Sequence, residues 1–148
     1  LNNNKNNTII IYASGFAFMA GNFKNQHIDN LTFLIDSGAS DHIVNREDVF
    51  CDFQTLLPPL KISVAKNGTF ICATKRGNIN VTSNKGVQGV LEGVLYCPDA
   101  MHNLLSVRRM QQAGFTTIFD EKGVTIEKGS NVIMTEGVLD YLDTGCIV

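Results

Sequence analysis

The sequence predicts an all-β domain, a barrel or sandwich, with one short helix near its C-terminal third. Short apolar runs recur from Thr8 onward, each closed by a turn signal. Leu60, Ile62 and Val64 alternate with Lys61 and Ser63, the period of a half-buried strand. Lys66-Asn67-Gly68-Thr69 contains Asn-Gly, a pair whose ready access to positive φ favours a tight hairpin turn.

The elements follow in chain order. The polar, Asn-rich start "LNNNKNN" reads as a linker or tail, so residues 1–13 are taken as that tail with a candidate first strand at Thr8–Tyr12. Phe16–Met19, Thr32–Asp36 and Ile43–Val44 are further strand candidates. "LKISV" then leads through the Asn-Gly turn into "FICAT", and "GNINV" and "GVLEGVLY" follow before a break at Cys97-Pro98-Asp99. The helix is "SVRRMQQAG": Ser106 is placed to cap it, Val107 to Ala113 suit helical backbone, and Gly114 ends it. Beyond it, "FTTIF", "VTIEK" and "VIMT" are strands separated by turns at Glu121-Lys122-Gly123 and Gly129-Ser130-Asn131. Residues 14–136 form the expected single domain and 137–148 a C-terminal tail. The start without Met, together with the Asn tract, suggests a segment of a polyprotein.

Bulk composition narrows the function classes. With 148 residues, 44% hydrophobic and 18% charged, the chain can bury one substantial core. A net charge of −2 gives no general pull toward nucleic acid or anionic lipid. No apolar run reaches the roughly 18 residues of a membrane helix. No signal peptide is expected, because no small-residue cleavage pattern follows the polar start. Cys51, Cys72, Cys97 and Cys146 form no C-x-x-C pair and match no zinc spacing, so no metal is expected. Cys72 sits in an apolar run and reads as a buried free thiol, in keeping with a reducing compartment.

One stretch carries chemistry. In "FLIDSGASDHIV" an aspartate follows three large apolar residues and precedes three very small ones, after which Ile43 and Val44 resume the apolar pattern. Asp-Ser-Gly alone is an ordinary turn, with the Asp side chain bonding the backbone two residues on. Its setting differs from that of a plain turn. The apolar residues before Asp36 hold it at a core edge, and Ser37, Gly38 and Ala39 leave room for another group beside the carboxylate. An Asn-Gly hairpin and then "NLLSVRRMQQAG" follow downstream.

Taken in order, apolar-apolar-Asp-Ser-Gly-Ala, a hairpin, then apolar-apolar-small and a helix resembles the retropepsins, the aspartic proteases of retroviruses and retrotransposons. The chain is most similar to the protease segment of Ty1/copia-type polyproteins, through Ile35 to Asn45, Pro58 to Gly77 and Asn103 to Gly114. The resemblance implies a retropepsin-like β-barrel in which Asp36 is the catalytic residue. Ser37 matches the hydroxyl that braces two active-site loops against each other, Gly38 the backbone that lies against substrate, and Ala39 a small packing position. Ser40 and Asp41 stand where retroviral enzymes carry two substrate-contacting acids, and Ser40 departs from that pattern. Val64, Ala65, Lys66, Asn67, Gly68, Thr69 and Phe70 match the flap, with fewer glycines than retroviral flaps.

The chemistry requires a second carboxylate, and the chain has one motif in a complete context. The resemblance therefore implies a homodimer, a polypeptide substrate that is its own polyprotein, and no cofactor. It also implies a cytoplasmic location within virus-like particles. Leu142-Asp143-Thr144-Gly145 has the same spelling, but only three residues follow it, too few for a second lobe, so it reads as a turn. His42, without a partner at ligand spacing, reads as a surface or hydrogen-bonded histidine rather than a base or metal ligand. Arg108 and Arg109 are expected to face solvent, as are Lys61, Lys66, Lys75 and Arg76 around the hairpin. Two other classes stay in view: a catalytically silent β-barrel binding or structural domain, and a nucleic-acid-binding module, which the charge supports only weakly.

Overall fold

The computed structural model describes residues 7–13, 31–63 and 69–137. Ten strands and one helix occupy them, so the predicted all-β class with a single short helix is the one observed. The expected strand Phe16–Met19, most of the Asn-Gly turn and the Asp143 motif lie outside the described residues.

Strands β1 (Asn7–Ala13), β2 (Leu31–Asp36), β3 (Ile43–Val44), β4 (Asp52–Ser63), β5 (Phe70–Thr82), β6 (Gln88–Tyr96) and β7 (Asn103–Ser106) form one sheet. Their order is β1-β2-β7-β3-β6-β5-β4, and β1 also pairs with β5, so the sheet curls back on itself as a barrel. Helix α1 (Val107–Gln112) follows β7 directly. Strands β8 (Thr116–Asp120), β9 (Gly123–Lys128) and β10 (Asn131–Gly137) make a separate antiparallel sheet.

Period-two alternation builds the core. Leu31, Phe33 and Ile35 of β2 are fully buried, while Thr32, Leu34 and Asp36 point the other way and are partly exposed. Around the first three gather Ile79, Val81, Leu91, Val94, Leu105 and Met110. Val124, Ile126 and Met134 of the small sheet join the same cluster. A second cluster of Ile43, Ala73, Leu95 and Cys97 is flanked by Leu56, Ile62, Ile71, Ala100 and Leu104.

Strand β4 begins eight residues before the Leu60 alternation that announced it. Pro58 and Pro59 fall where the β4–β5 register shifts between Thr55 and Leu60, on an edge strand, where prolines with no N–H to donate are tolerated. "FICAT" and "GNINV", separate in the sequence reading, are one 13-residue strand. Gly77 permits this, since a Cβ there would stand 2.0 Å from the Asp52 carbonyl oxygen. Cys72 corrects an expectation: it is exposed, because the pairings Lys61↔Cys72 and Leu60↔Ala73 turn it outward and send Ala73 in.

Candidate active site

Asp36 ends β2, and its place follows from three strands. Strand β7 lies between β2 and β3, parallel to the first and antiparallel to the second. The register sets Leu34 beside Leu104 and Asp36 beside Ser106. The loop from Ser37 to His42 must therefore arch over the end of β7, at the point where α1 begins. Asp36 shares the strand parity of Leu34, so it faces away from the main core.

The turn closes on the carboxylate. Gly38 donates its backbone N–H to Asp36 Oδ1 at 2.8 Å. A Cβ on Gly38 would come within 3.3 Å of the same oxygen, so the small residue expected there keeps the carboxylate uncrowded. Ser37 and Gly38 are exposed, and Asp36 is partly so.

Ser106 fastens the arch from below and is fully buried. Its Oγ donates to the Ala39 carbonyl at 2.6 Å and accepts the Arg109 N–H at 3.1 Å. Its own N–H donates to His42 Nδ1 at 3.0 Å. The residue thus caps the helix, as expected, and also holds the Asp36 loop. The His42 ring, an acceptor at Nδ1, is the neutral tautomer with its proton on Nε2. Burial, and then the nearby Arg109 charge, push its pKa down to about 4 against the opposite pull of Asp41.

Arg109 corrects a second expectation. Its guanidinium reaches Asp41 Oδ1 at 3.5 Å and the Glu92 carbonyl at 3.1 Å, whereas Arg108 is exposed as expected. Ser40 lies on the surface and donates to Asp41 Oδ2 at 3.3 Å. Asp41 is thus held between its neighbour and the helix. Composition alone does not mark Arg109 over Arg108. The one available clue was the helix start at Ser106, which sets the two arginines on different faces.

Of the flap residues, Val64, Ala65, Lys66, Asn67 and Gly68 lie outside the described residues. Thr69 and Phe70 are exposed and, among the described residues, make no hydrogen bond to the Asp36 loop. The arms of the hairpin are present as β4 and β5. Leu104, beside Leu34 in register, continues into the second apolar cluster with Ile62 and Ile71 of those arms. A groove of about 630 Å³ lies elsewhere, between β6, α1 and the small sheet; His42 and Arg109 line it and Asp36 does not. Among the described residues no three His, Cys, Asp or Glu side chains converge as metal ligands.

The arrangement offers one fixed, solvent-accessible carboxylate beside an apolar wall. Residues 33–115, more than half of the chain, match the family model described as Pol polyprotein, beta-barrel domain. The match begins inside β2 and ends just after α1, so it takes in the Asp36 loop, the hairpin and Ser106 to Arg109.

Proposed function

The chain belongs to the Pol polyprotein β-barrel domain family, and from that premise we propose that it is the aspartic endopeptidase of a copia-type retroelement polyprotein. The observation that carries the reading is Asp36 itself, a carboxylate at the end of a buried strand, fixed by the Gly38 N–H in a loop fastened by Ser106. The described residues supply one such carboxylate, so the working enzyme is a homodimer with two Asp36 side chains facing across a two-fold axis. Two carboxylates in contact share one proton. The ionised one takes a proton from water, which attacks the scissile carbonyl carbon, while the protonated one gives its proton to the carbonyl oxygen. Collapse of the tetrahedral intermediate then breaks the C–N bond as the amine takes up a proton. The substrate is the chain's own polyprotein, cut in the cytoplasm within virus-like particles.

The Gly38–Asp36 bond is also what a plain Asx turn makes, and this favours one second reading: a silent barrel that binds or scaffolds. Incubating a longer precursor with wild type, Asp36→Asn and Asp143→Asn separates the two. The protease reading expects Asp36→Asn to lose several powers of ten in kcat and Asp143→Asn to change less than about threefold. Activity should rise more steeply than linearly with concentration where the dimer dissociates. A folded wild type that leaves the precursor intact supports the silent barrel.

A further inference from the structure

We propose that His42 is a positioning residue for the Asp36 loop: as a neutral imidazole it anchors Ser106 beneath that loop, and protonation of the ring releases the anchor. The proposal rests on the protease reading only for its consequence in catalysis.

A short chain of contacts connects the ring to the carboxylate. His42 Nδ1 accepts the Ser106 N–H at 3.0 Å, and the Ser106 hydroxyl donates to the Ala39 carbonyl at 2.6 Å. Ala39 follows Gly38, whose N–H holds Asp36 Oδ1 at 2.8 Å. A proton on Nδ1 would set donor against donor and leave a buried N–H without its acceptor. The charged groups around the ring decide how readily that occurs. Arg109 of α1 opposes a second cation, and Asp41 of the same loop favours one. Strand β7 presents uncharged Ser106. Glu92 of β6 and Lys128 of β9 stand on the walls of the groove that His42 also lines, and this groove gives the ring a route to solvent protons. With burial added, the ring stays neutral down to about pH 4. Below that the loop loses its anchor, which sets an acid limit on the site that is separate from the titration of the carboxylate pair.

The test uses the 148-residue chain, labelled with ¹⁵N and ¹³C, in an Asp36→Asn background that removes the carboxylate bonded to the Gly38 amide. Nuclear magnetic resonance from pH 7.5 to 3.5 follows the His42 ring and the amides of Gly38, Ala39 and Ser106. The ring should carry its proton on Nε2 at neutral pH and titrate near 4, and the three amides should move with the same midpoint. Adding His42→Asn, which places an untitratable acceptor near the Nδ1 position, should abolish that movement. A ring protonated on Nδ1, a midpoint near 6.5, or amides that ignore the ring would overturn the proposal, and the single variant decides this even where the double variant fails to fold. In chains with Asp36 intact, His42→Asn should raise the ratio of kcat at pH 4 to kcat at pH 5.5 about twofold over wild type. An unchanged ratio in an active pair also overturns it. A wild type without cleavage refutes the protease reading instead and leaves the spectra to judge His42.

Discussion

Acid should destabilise this fold through His42 by an amount that the site itself sets. The unfolded chain takes a proton on this ring at 6.5, and the folded one refuses it until about 4. Between those values the unfolded state binds more protons, so stability falls as pH falls. Above 6.5 the ring is neutral in both states and contributes nothing; below 4 it is charged in both and the loss is complete. At 1.36 kcal/mol per pH unit, the window is worth about 3 kcal/mol, a large share of ordinary domain stability. The ring is only 4% exposed, so water does little to screen the effect. The assay is urea unfolding at half-unit steps from pH 7.5 to 3.5 for wild type and His42→Asn. Aspartates and glutamates titrate in both proteins, and the difference in slope isolates His42. The wild-type slope should exceed that of the variant by up to about 1.4 kcal/mol per pH unit inside the window. Equal slopes would refute the burial and charge reasoning at this site.

Gly77→Ala should cost more than about 2 kcal/mol by thermal unfolding, since its Cβ would meet the Asp52 backbone oxygen at 2.0 Å and β4 would have to move. Arg109→Ala should cost about 1–2 kcal/mol in denaturant unfolding through loss of its bonds to Asp41 and Glu92, whereas exposed Arg108→Ala should stay within about 0.5 kcal/mol of wild type. Ser106→Ala should cost about 2–3 kcal/mol, combining a lost helix cap with an unpaired Ala39 carbonyl, and proton exchange at the Arg109 amide should quicken with it.

The strands that announce themselves by local rules were legible. Thr32–Asp36, Ile43–Val44, the hairpin arms, the capped helix and the three strands after it all stand where apolar spacing and turn residues put them. Strand β7 was not read as a strand. Its four residues are too few to show a period, and it exists because β2 and β3 pair with it from both sides. Cys72 misled because an apolar run does not say which face its odd members take; the cross-strand register decides that. At the site, Asp36 and its small neighbours stood out by composition, since a carboxylate after Phe-Leu-Ile is locally odd. Ser106, His42 and Arg109 did not, because their partners lie 64 to 68 positions away along the chain. Ser106 was recognisable as a helix cap and as the small residue after Leu104-Leu105, and not as the group that holds the Asp36 loop.

The small C-terminal sheet bears on how a pair of these chains could assemble. Val124, Ile126 and Met134 are almost completely buried in the cluster that also holds Phe33 and Leu105, so this sheet closes the main core although it lies beyond residues 33–115. The resemblance to retroviral enzymes places their terminal, partner-interleaving strand at Phe115–Phe119. Here that stretch is β8, and its ladder from Thr116 to Asp120 is already made with β9 of the same chain. With β9 central in that sheet, its edges are the outer sides of β8 and β10. An interleaved sheet that flanked β8 on both sides with partner strands would have to break the β8–β9 ladder. A dimer of this chain therefore has two economical routes, addition at a sheet edge such as that of β8 or β10, or contact through other faces. Each leaves the Asp36 loop fastened to its own Ser106, so the shared site that the proposed protease reading requires would receive a carboxylate from each chain already held in place.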